Sequence, residues 1–168
     1  MVLPYRNPLG YKNLRTWQQA NEILELTEKF VATLPKTHPQ TGQKMSDVAD
    51  HMLRSARSVV RNIEEGFKRT TTKEYISFLG FSAGSLEELL GDFEYCVKGG
   101  LGDETMGNKG VWLCRGEGKM LYNQVKSLEK KMFDEKTMSA NEMARLAMQE
   151  AKDRENKFDN WLKNQRNK

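Results

Sequence analysis

The sequence predicts an all-α protein, an antiparallel up-down-up-down four-helix bundle with an additional C-terminal helix or helical tail. Its four prolines, Pro4, Pro8, Pro35 and Pro39, all precede residue 40, so no proline interrupts a helix in the rest of the chain. Apolar residues recur at spacings of three and four, the period of an amphipathic helix. No run alternates between apolar and polar residues, as a half-buried strand would. Long helices joined by short loops are typical of a bundle.

The first two helices are predicted over residues 14–34 and 43–67. Asn13 is the expected N-terminal cap of the first helix, and Pro35 is expected to stop it. Gly66 lies near the end of the second apolar stripe, where a C-terminal capping glycine is common. The sequence therefore predicts a helical hairpin over these residues.

The third helix begins at residues 71–74, where Thr71 and Glu74 form a capping-box pattern. A fourth helix is predicted over residues 103–133 from its apolar spacing. Seven of the thirteen glycines fall within residues 99–118, which favours a loose connection there instead. A second capping-box pattern at residues 139–142 predicts that a separate fifth helix, docked or mobile, begins there.

These elements predict three regions: an N-terminal arm over residues 1–12, a four-helix bundle over residues 13–133 and a C-terminal helical extension over residues 134–168. No apolar run approaches the roughly 18 residues of a membrane span, and the N-terminus lacks the apolar core of a signal peptide. We therefore expect no membrane association and a cytoplasmic location. Cys96, Cys114 and two histidines form no metal or disulfide pattern, so we expect no metal, no cofactor and no enzymatic activity.

Several short motifs occur together along residues 11–132. They are Trp17-Gln18-Gln19-Ala20, Ser58, Asn62-Ile63-Glu64-Glu65-Gly66-Phe67, Arg69, Phe78-Leu79, Gly84-Ser85-Leu86-Glu87-Glu88-Leu89, Gly118-Lys119-Met120-Leu121 and Ser127-Leu128. In this order they resemble one known family, the four-helix-bundle proteins encoded in intervening sequences of 23S rRNA genes (S23-type). Accessory variability proteins of diversity-generating retroelements are related to it.

The resemblance implies a bundle that assembles as a homopentamer and has no established enzymatic activity. Its retroelement relatives imply nucleic acid and a reverse transcriptase as partners. The sequence departs from the family at Glu64, where Ala is usual, and in the tail from about Asp134, which has no counterpart in the short members.

The second helix carries a stripe of basic residues on the side away from its apolar face. Arg54, Arg57, Arg61 and Lys68 fall within about 60° of arc at 3.6 residues per turn, and Arg69 adjoins them. Regularly spaced cations on one exposed face are suited to phosphate contacts with RNA or DNA. The alternative is a solvated face paired with the nearby carboxylates of Asp50, Glu64 and Glu65.

The third helix has small residues opposite its apolar stripe, which predicts an oligomer interface there. Glycine inside a helix costs up to about 1 kcal/mol relative to alanine, so several on one face suggest that another helix approaches closely. The expected contact residues are Ile76, Ser77, Gly80, Phe81, Gly84, Gly91 and Tyr95.

Polar residues of the second and third helices suggest two further roles. Asn62, Ser85 and Glu88 are predicted to form a buried hydrogen-bond set, with helix-edge contact to water as the alternative. The carboxylates of Glu87, Glu88, Asp92 and Glu94 are expected to contact basic groups of a neighbouring subunit rather than form an active site. The function predicted is a homo-oligomeric scaffold with affinity for nucleic acid or nucleoprotein. The alternative is a protein–protein interaction module without that affinity.

Overall fold

The computed structural model describes the backbone of residues 9–166 and the side chains of residues 9–145, 147–149, 152 and 153. A 3-10 turn at Gly10–Asn13 precedes four helices, α1 (Arg15–Val31), α2 (Ser46–Lys68), α3 (Thr72–Lys98) and α4 (Glu104–Arg166). Among these residues there is no β-strand, and an isolated bridge joins Thr37 to Lys44. The prediction of an all-α fold is confirmed.

All four helices contribute to one apolar core. Complete burial of such a side chain stabilises a fold by about 1.5–3 kcal/mol. The largest apolar side chains that solvent does not reach are Ile23, Phe30, Met52, Val59, Ile63, Leu79, Leu89, Phe93 and Leu121. Because successive residues of this set are 4, 7 or 10 positions apart within α1, α2 and α3, they lie on one face of each helix, and the helical periodicity read from the sequence corresponds to the faces that pack.

Polar contacts show that α2 and α3 run in opposite directions, as do α1 and α4. In each pair, the residue number rises along one helix as it falls along the other. The contacts are Ser55–Glu88 and Ser58–Ser85 for the first pair, and Thr16–Gln124 and Glu22–Lys109 for the second.

Two local features define the short connection between α2 and α3, an N-cap at the start of α3 and a close contact between the helices at Gly66. The Thr71 hydroxyl oxygen accepts a hydrogen bond from the Glu74 amide, so Thr71 is the N-cap, and the Glu74 carboxylate accepts from the same hydroxyl at 2.7 Å. Gly66, in contrast, does not end α2, which continues to Lys68. A Cβ at position 66 would lie 2.7 Å from the Cβ of Phe78, so glycine serves the close approach of α3 instead. Asn13 is likewise not the cap of α1, which begins after Leu14.

Helix α4 begins where the sequence predicts and extends beyond the predicted end. Its backbone is helical from Glu104, capped by an Asp103 carboxylate that accepts from the Met106 amide, so the helix predicted over residues 103–133 is confirmed and the alternative of a loose connection over residues 103–118 is not. The separate helix predicted from Ser139 is wrong, because α4 continues through residues 139–142 to Arg166 as a helical tail. No glycine or proline follows Gly118, so nothing in the sequence forces a break there.

The chain divides into two compact units, Met1–Leu128 and Glu129–Lys168. The described core residues all belong to the first unit. In the second, Phe133, Met138, Met143 and Met148 are exposed. Phe158, Trp161 and Leu162, apolar residues of the C-terminal helical extension, lie outside the described side chains, and so does most of the predicted N-terminal arm. Over the described residues, no helix combines the length and the apolar character needed to cross a bilayer.

Candidate functional site

The middle of α2 presents three arginines to solvent. Arg54, Arg57 and Arg61 are exposed, and within the described part of the chain none of them forms an ion pair or a side-chain hydrogen bond. Residues 51–63 include no Asp or Glu, so these turns of the helix are purely cationic. The acidic residues of α2 lie towards its two ends. We refer to Arg54, Arg57 and Arg61 as the α2 basic face.

The two cations at the end of α2 are held by intramolecular contacts. The Lys68 ammonium lies 5.4 Å from the centre of the Tyr11 ring. The Arg69 guanidinium lies 2.6 Å from a Glu65 carboxylate oxygen and stacks 4.5 Å from the centre of the Phe78 ring. Arg69 therefore joins the α2–α3 connection and is less available to a phosphate than the three arginines of the α2 basic face.

The polar set predicted between α2 and α3 is organised around Ser58. The Ser85 hydroxyl donates to the Ser58 hydroxyl at 2.8 Å, and the Asn62 amide donates to the Ser58 carbonyl at 2.9 Å. Glu88 is exposed and separate from this group, since its carboxylate accepts instead from Ser55 at 3.3 Å. Asn62 and Ser85 are thus brought together by a third residue, and the set is half-buried rather than fully buried.

The outward face of α3 is open, as the predicted interface requires. A Cβ added at Gly80, Gly84 or Gly91 would meet no atom within 4 Å. Phe81 is 61% exposed and Tyr95 is 43% exposed, which leaves apolar ring surface in water beside the glycines. Ile76 is half-buried. The Ser77 hydroxyl donates to the Lys73 carbonyl one turn earlier, so its hydrogen bond lies within the helix.

Two carboxylates of α3 are paired within the chain, contrary to the expectation that they contact a neighbouring subunit. An Asp92 oxygen lies 2.6 Å from Nδ1 of His51, and a Glu94 oxygen accepts from Arg115 at 2.8 Å. Facing helices supply both partners, which sequence spacing along one helix does not reveal. In the part of the chain whose side chains are described, no three His, Cys, Asp or Glu residues form a group able to hold a metal ion.

Glu117 is a buried acid that the sequence interpretation missed. Its side chain has no exposed surface, and neither carboxylate oxygen has a hydrogen-bond partner among the described residues. Burial raises the pKa of Glu117 to about 8, so the group is largely protonated at neutral pH. Its position four residues after Leu113 and four before Leu121 could have placed it on the core stripe of α4.

Both cysteines are buried thiols. Burial raises the pKa of Cys96 to about 11 and that of Cys114 to about 12, with further contributions from Asp92 and Glu117 respectively. Because the thiolate is the reactive form, these side chains are poor nucleophiles at neutral pH.

A comparison of the sequence with models of protein families shows to which family the chain belongs. The model of the 23S rRNA-intervening sequence protein family matches residues 12–123. The chain belongs to this family. The part that matches the 23S rRNA-intervening sequence proteins includes α1, α2, α3 and the beginning of α4, and it ends within the first compact unit. It contains the α2 basic face and the outward face of α3. No curated protein matches the chain.

Proposed function

We propose that this protein is a non-enzymatic, homo-oligomeric helical-bundle scaffold that binds nucleic acid through the α2 basic face. The observation that carries the proposal is the exposure of Arg54, Arg57 and Arg61, none of which forms an ion pair with a described residue, on a stretch of α2 (residues 51–63) that contains no Asp or Glu. Spacings of three and four residues correspond to rises of about 4.5 and 6 Å, so one helix face presents successive cations to a phosphate backbone.

The homo-oligomer in this proposal is supported by the outward face of α3. Three glycines with open space above them permit a second helix to approach closely, and the exposed rings of Phe81 and Tyr95 supply apolar area to bury. A ring of subunits would repeat the α2 basic face, so weak contacts would add through avidity. A pentamer and a role beside a reverse transcriptase also belong to the proposal, and they rest on the family resemblance alone. A cytoplasmic location is proposed as well, and the two free cysteines are in keeping with it.

A salt titration tests the nucleic-acid part. Retention of duplex DNA and of structured RNA in a gel-shift experiment should fall as salt rises, with a slope of about −0.9 per phosphate neutralised on duplex DNA. The double variant Arg57→Gln/Arg61→Gln should flatten that slope while the protein stays folded. Lys29→Gln/Lys98→Gln removes the same charge from exposed positions on α1 and α3 and serves as the control. Equal slopes for the two double variants would contradict the assignment to α2.

A second candidate function is a protein–protein interaction module without nucleic-acid affinity. It is favoured by the exposure of Met138, Met143 and Met148 in the second compact unit, since flexible methionine side chains suit adaptable protein surfaces. The absence of salt-dependent retention of RNA or DNA by the parent protein would favour this alternative.

A further inference from the structure

Helix α4 carries a second cationic surface, and this one is interleaved with aromatic rings. Trp112, Arg115, Lys119, Tyr122 and Lys126 recur at spacings of three and four residues, so they lie on one side of the helix. We call them the α4 stripe. It is about 21 Å long at 1.5 Å of rise per residue. Trp112 is 71% exposed and Tyr122 is 62% exposed, although indole and phenol rings are usually at least partly covered.

The charge on this part of α4 has one sign. Residues 105–128 contain a single acid, Glu117, and it is buried in the core. Their four cations are all exposed, and Lys119 forms no ion pair with any described residue. Lys109 and Arg115 are different, because the Lys109 ammonium lies 2.9 Å from a Glu22 oxygen on α1 and Arg115 donates at 2.8 Å to Glu94 on α3. Residues 105–128 of α4 therefore present positive charge to solvent with no exposed carboxylate within the same stretch.

A groove between α3 and α4 adjoins the α4 stripe. Its volume is about 570 Å³, within the range of small-molecule sites, and Leu86, Leu90 and Cys114 line it together with Tyr122 and Lys119. Glu87 also lines the groove and offers a carboxylate that can accept a hydrogen bond. A planar ring lying against Tyr122 would thus have apolar surface beside it, a cation near it and a hydrogen-bond acceptor within the same groove.

We propose that the α4 stripe binds single-stranded nucleic acid. Bases stack on Trp112 and Tyr122, and Lys119 and Lys126 hold the phosphates between them. The combination of a cationic track with exposed aromatic rings suits single strands, because a duplex hides the faces of its bases. The Lys126 ammonium already lies 5.6 Å from the centre of the Tyr122 ring, so a cation and a stacking platform are side by side.

This inference deepens the proposed nucleic-acid function, but it rests on residues outside the α2 basic face. The two surfaces are expected to differ in preference. Phosphate contacts from α2 serve duplex and single strand alike, whereas stacking on α4 requires unpaired bases. The two proposals can therefore fail independently of each other.

Binding of a labelled oligothymidylate to the full chain at low salt tests the α4 stripe. Trp112→Ala and Tyr122→Ala should each weaken binding by roughly 5- to 150-fold, the range measured for stacking of one base, whereas Trp112→Phe should retain most of the affinity. Neither alanine variant should change binding of a duplex of equal length by more than about twofold, since duplex bases offer no free face. Lys119→Gln should weaken binding more than Lys109→Gln, which removes the same charge from the side of α4 facing Glu22.

Two measurements separate this proposal from its alternatives. Adding Trp112→Ala to the double variant Arg57→Gln/Arg61→Gln should still weaken oligothymidylate binding, which identifies α4 as the stacking surface. Unchanged oligothymidylate affinity in both alanine variants would overturn the proposal, even if the parent binds duplex DNA through α2. A change of assembly mass in Trp112→Ala, measured by light scattering, would also overturn it, because the stripe would then cover a subunit contact.

Discussion

The indole Nε1 of Trp17 donates a 2.9 Å hydrogen bond to the carboxylate of Glu64, linking α1 to the last turns of α2. Trp17 is half-buried and packs against the core, and its ring meets Tyr11 edge-on with centroids 5.4 Å apart. Glu64 is also the position at which the sequence departs from the alanine usual in the resembled family. The carboxylate therefore has a structural partner in this chain, one that alanine would not provide.

Replacing Glu64 with Ala should lower the free energy of unfolding by about 1–2 kcal/mol, because a half-buried indole N–H would lose a charged acceptor. Urea denaturation followed by tryptophan fluorescence measures the change. Glu65→Ala is the matched control, since its exposed ion pair with Arg69 should contribute less than about 1 kcal/mol. Equal losses in the two variants would show that the Trp17 contact adds no stability.

Two glycines in helices should respond oppositely to alanine. A Cβ at Gly110 would lie 2.5 Å from an atom of the buried Phe93 ring, so Gly110→Ala should destabilise the fold by roughly 1–3 kcal/mol. A Cβ at Gly84 meets nothing within 4 Å, so Gly84→Ala should leave the chain as stable or up to about 1 kcal/mol more stable. Thermal unfolding of both variants measures this difference in stability. Equal stabilities would show that α3 and α4 can move apart at Gly110 and accommodate the methyl group at little cost.

A larger side chain at Gly84 should split the assembly without unfolding the chain. Leucine would project from the open face of α3 into the proposed seam between subunits, where overpacking costs roughly 1–3 kcal/mol at each contact. The expected result is a lower mass in light scattering with an unchanged helical signal in circular dichroism. Retention of the parent mass would remove the outward face of α3 from the interface.

Deleting residues 139–168 should leave a cooperatively folded bundle. The described core residues lie before residue 129, and the first compact unit ends at Leu128. Cutting the continuous helix α4 within its exposed part should therefore cost little stability. A single sharp transition in thermal denaturation is expected, and its loss would show that the deleted residues complete the core.

The sequence was sufficient to predict the helices because the packed faces repeat at helical spacing, as in Met52, Val59 and Ile63. The sequence prediction failed where one local pattern occurs in two different structural settings. Gly66 has the position of a cap but serves close packing, and residues 139–142 have the pattern of a capping box but lie within a helix. The three arginines of the α2 basic face were identified because exposure follows from helical phase.

Contacts between helices were the part that the sequence could not provide. The pairing of His51 with Asp92 and the role of Ser58 depend on which turns of α2 and α3 face each other, and no single-helix pattern contains that information. Glu117 was missed because an acidic residue at a core position of α4 was not counted with the apolar residues of that face. That its carboxylate lacks a hydrogen-bond partner among the described residues can be seen only from the packing of the surrounding helices.

That isolated acid should make the stability of the protein depend on pH. Below about pH 4.5, the ordinary pKa of a glutamic acid, Glu117 is protonated in both the folded and the unfolded chain and adds no pH-dependent penalty. As pH rises from there to about 8, the unfolded chain releases the proton while the folded chain retains it. The free energy of unfolding therefore falls through this window, and above it the loss is complete. At about 1.36 kcal/mol per unit difference in pKa, the loss reaches a few kcal/mol.

Replacing Glu117 with Leu should remove this dependence, because an apolar side chain of similar volume needs neither a proton nor a partner. The gain in free energy of unfolding over the parent should be small near pH 5 and should rise to a few kcal/mol near pH 9, as measured by urea denaturation. Glu87→Leu, at an exposed position on α3, should show no such trend. A gain that stays constant across this range would mean that the native protein ionises Glu117 as readily as the unfolded chain does, and that water or a counter-charge reaches the carboxylate in the core.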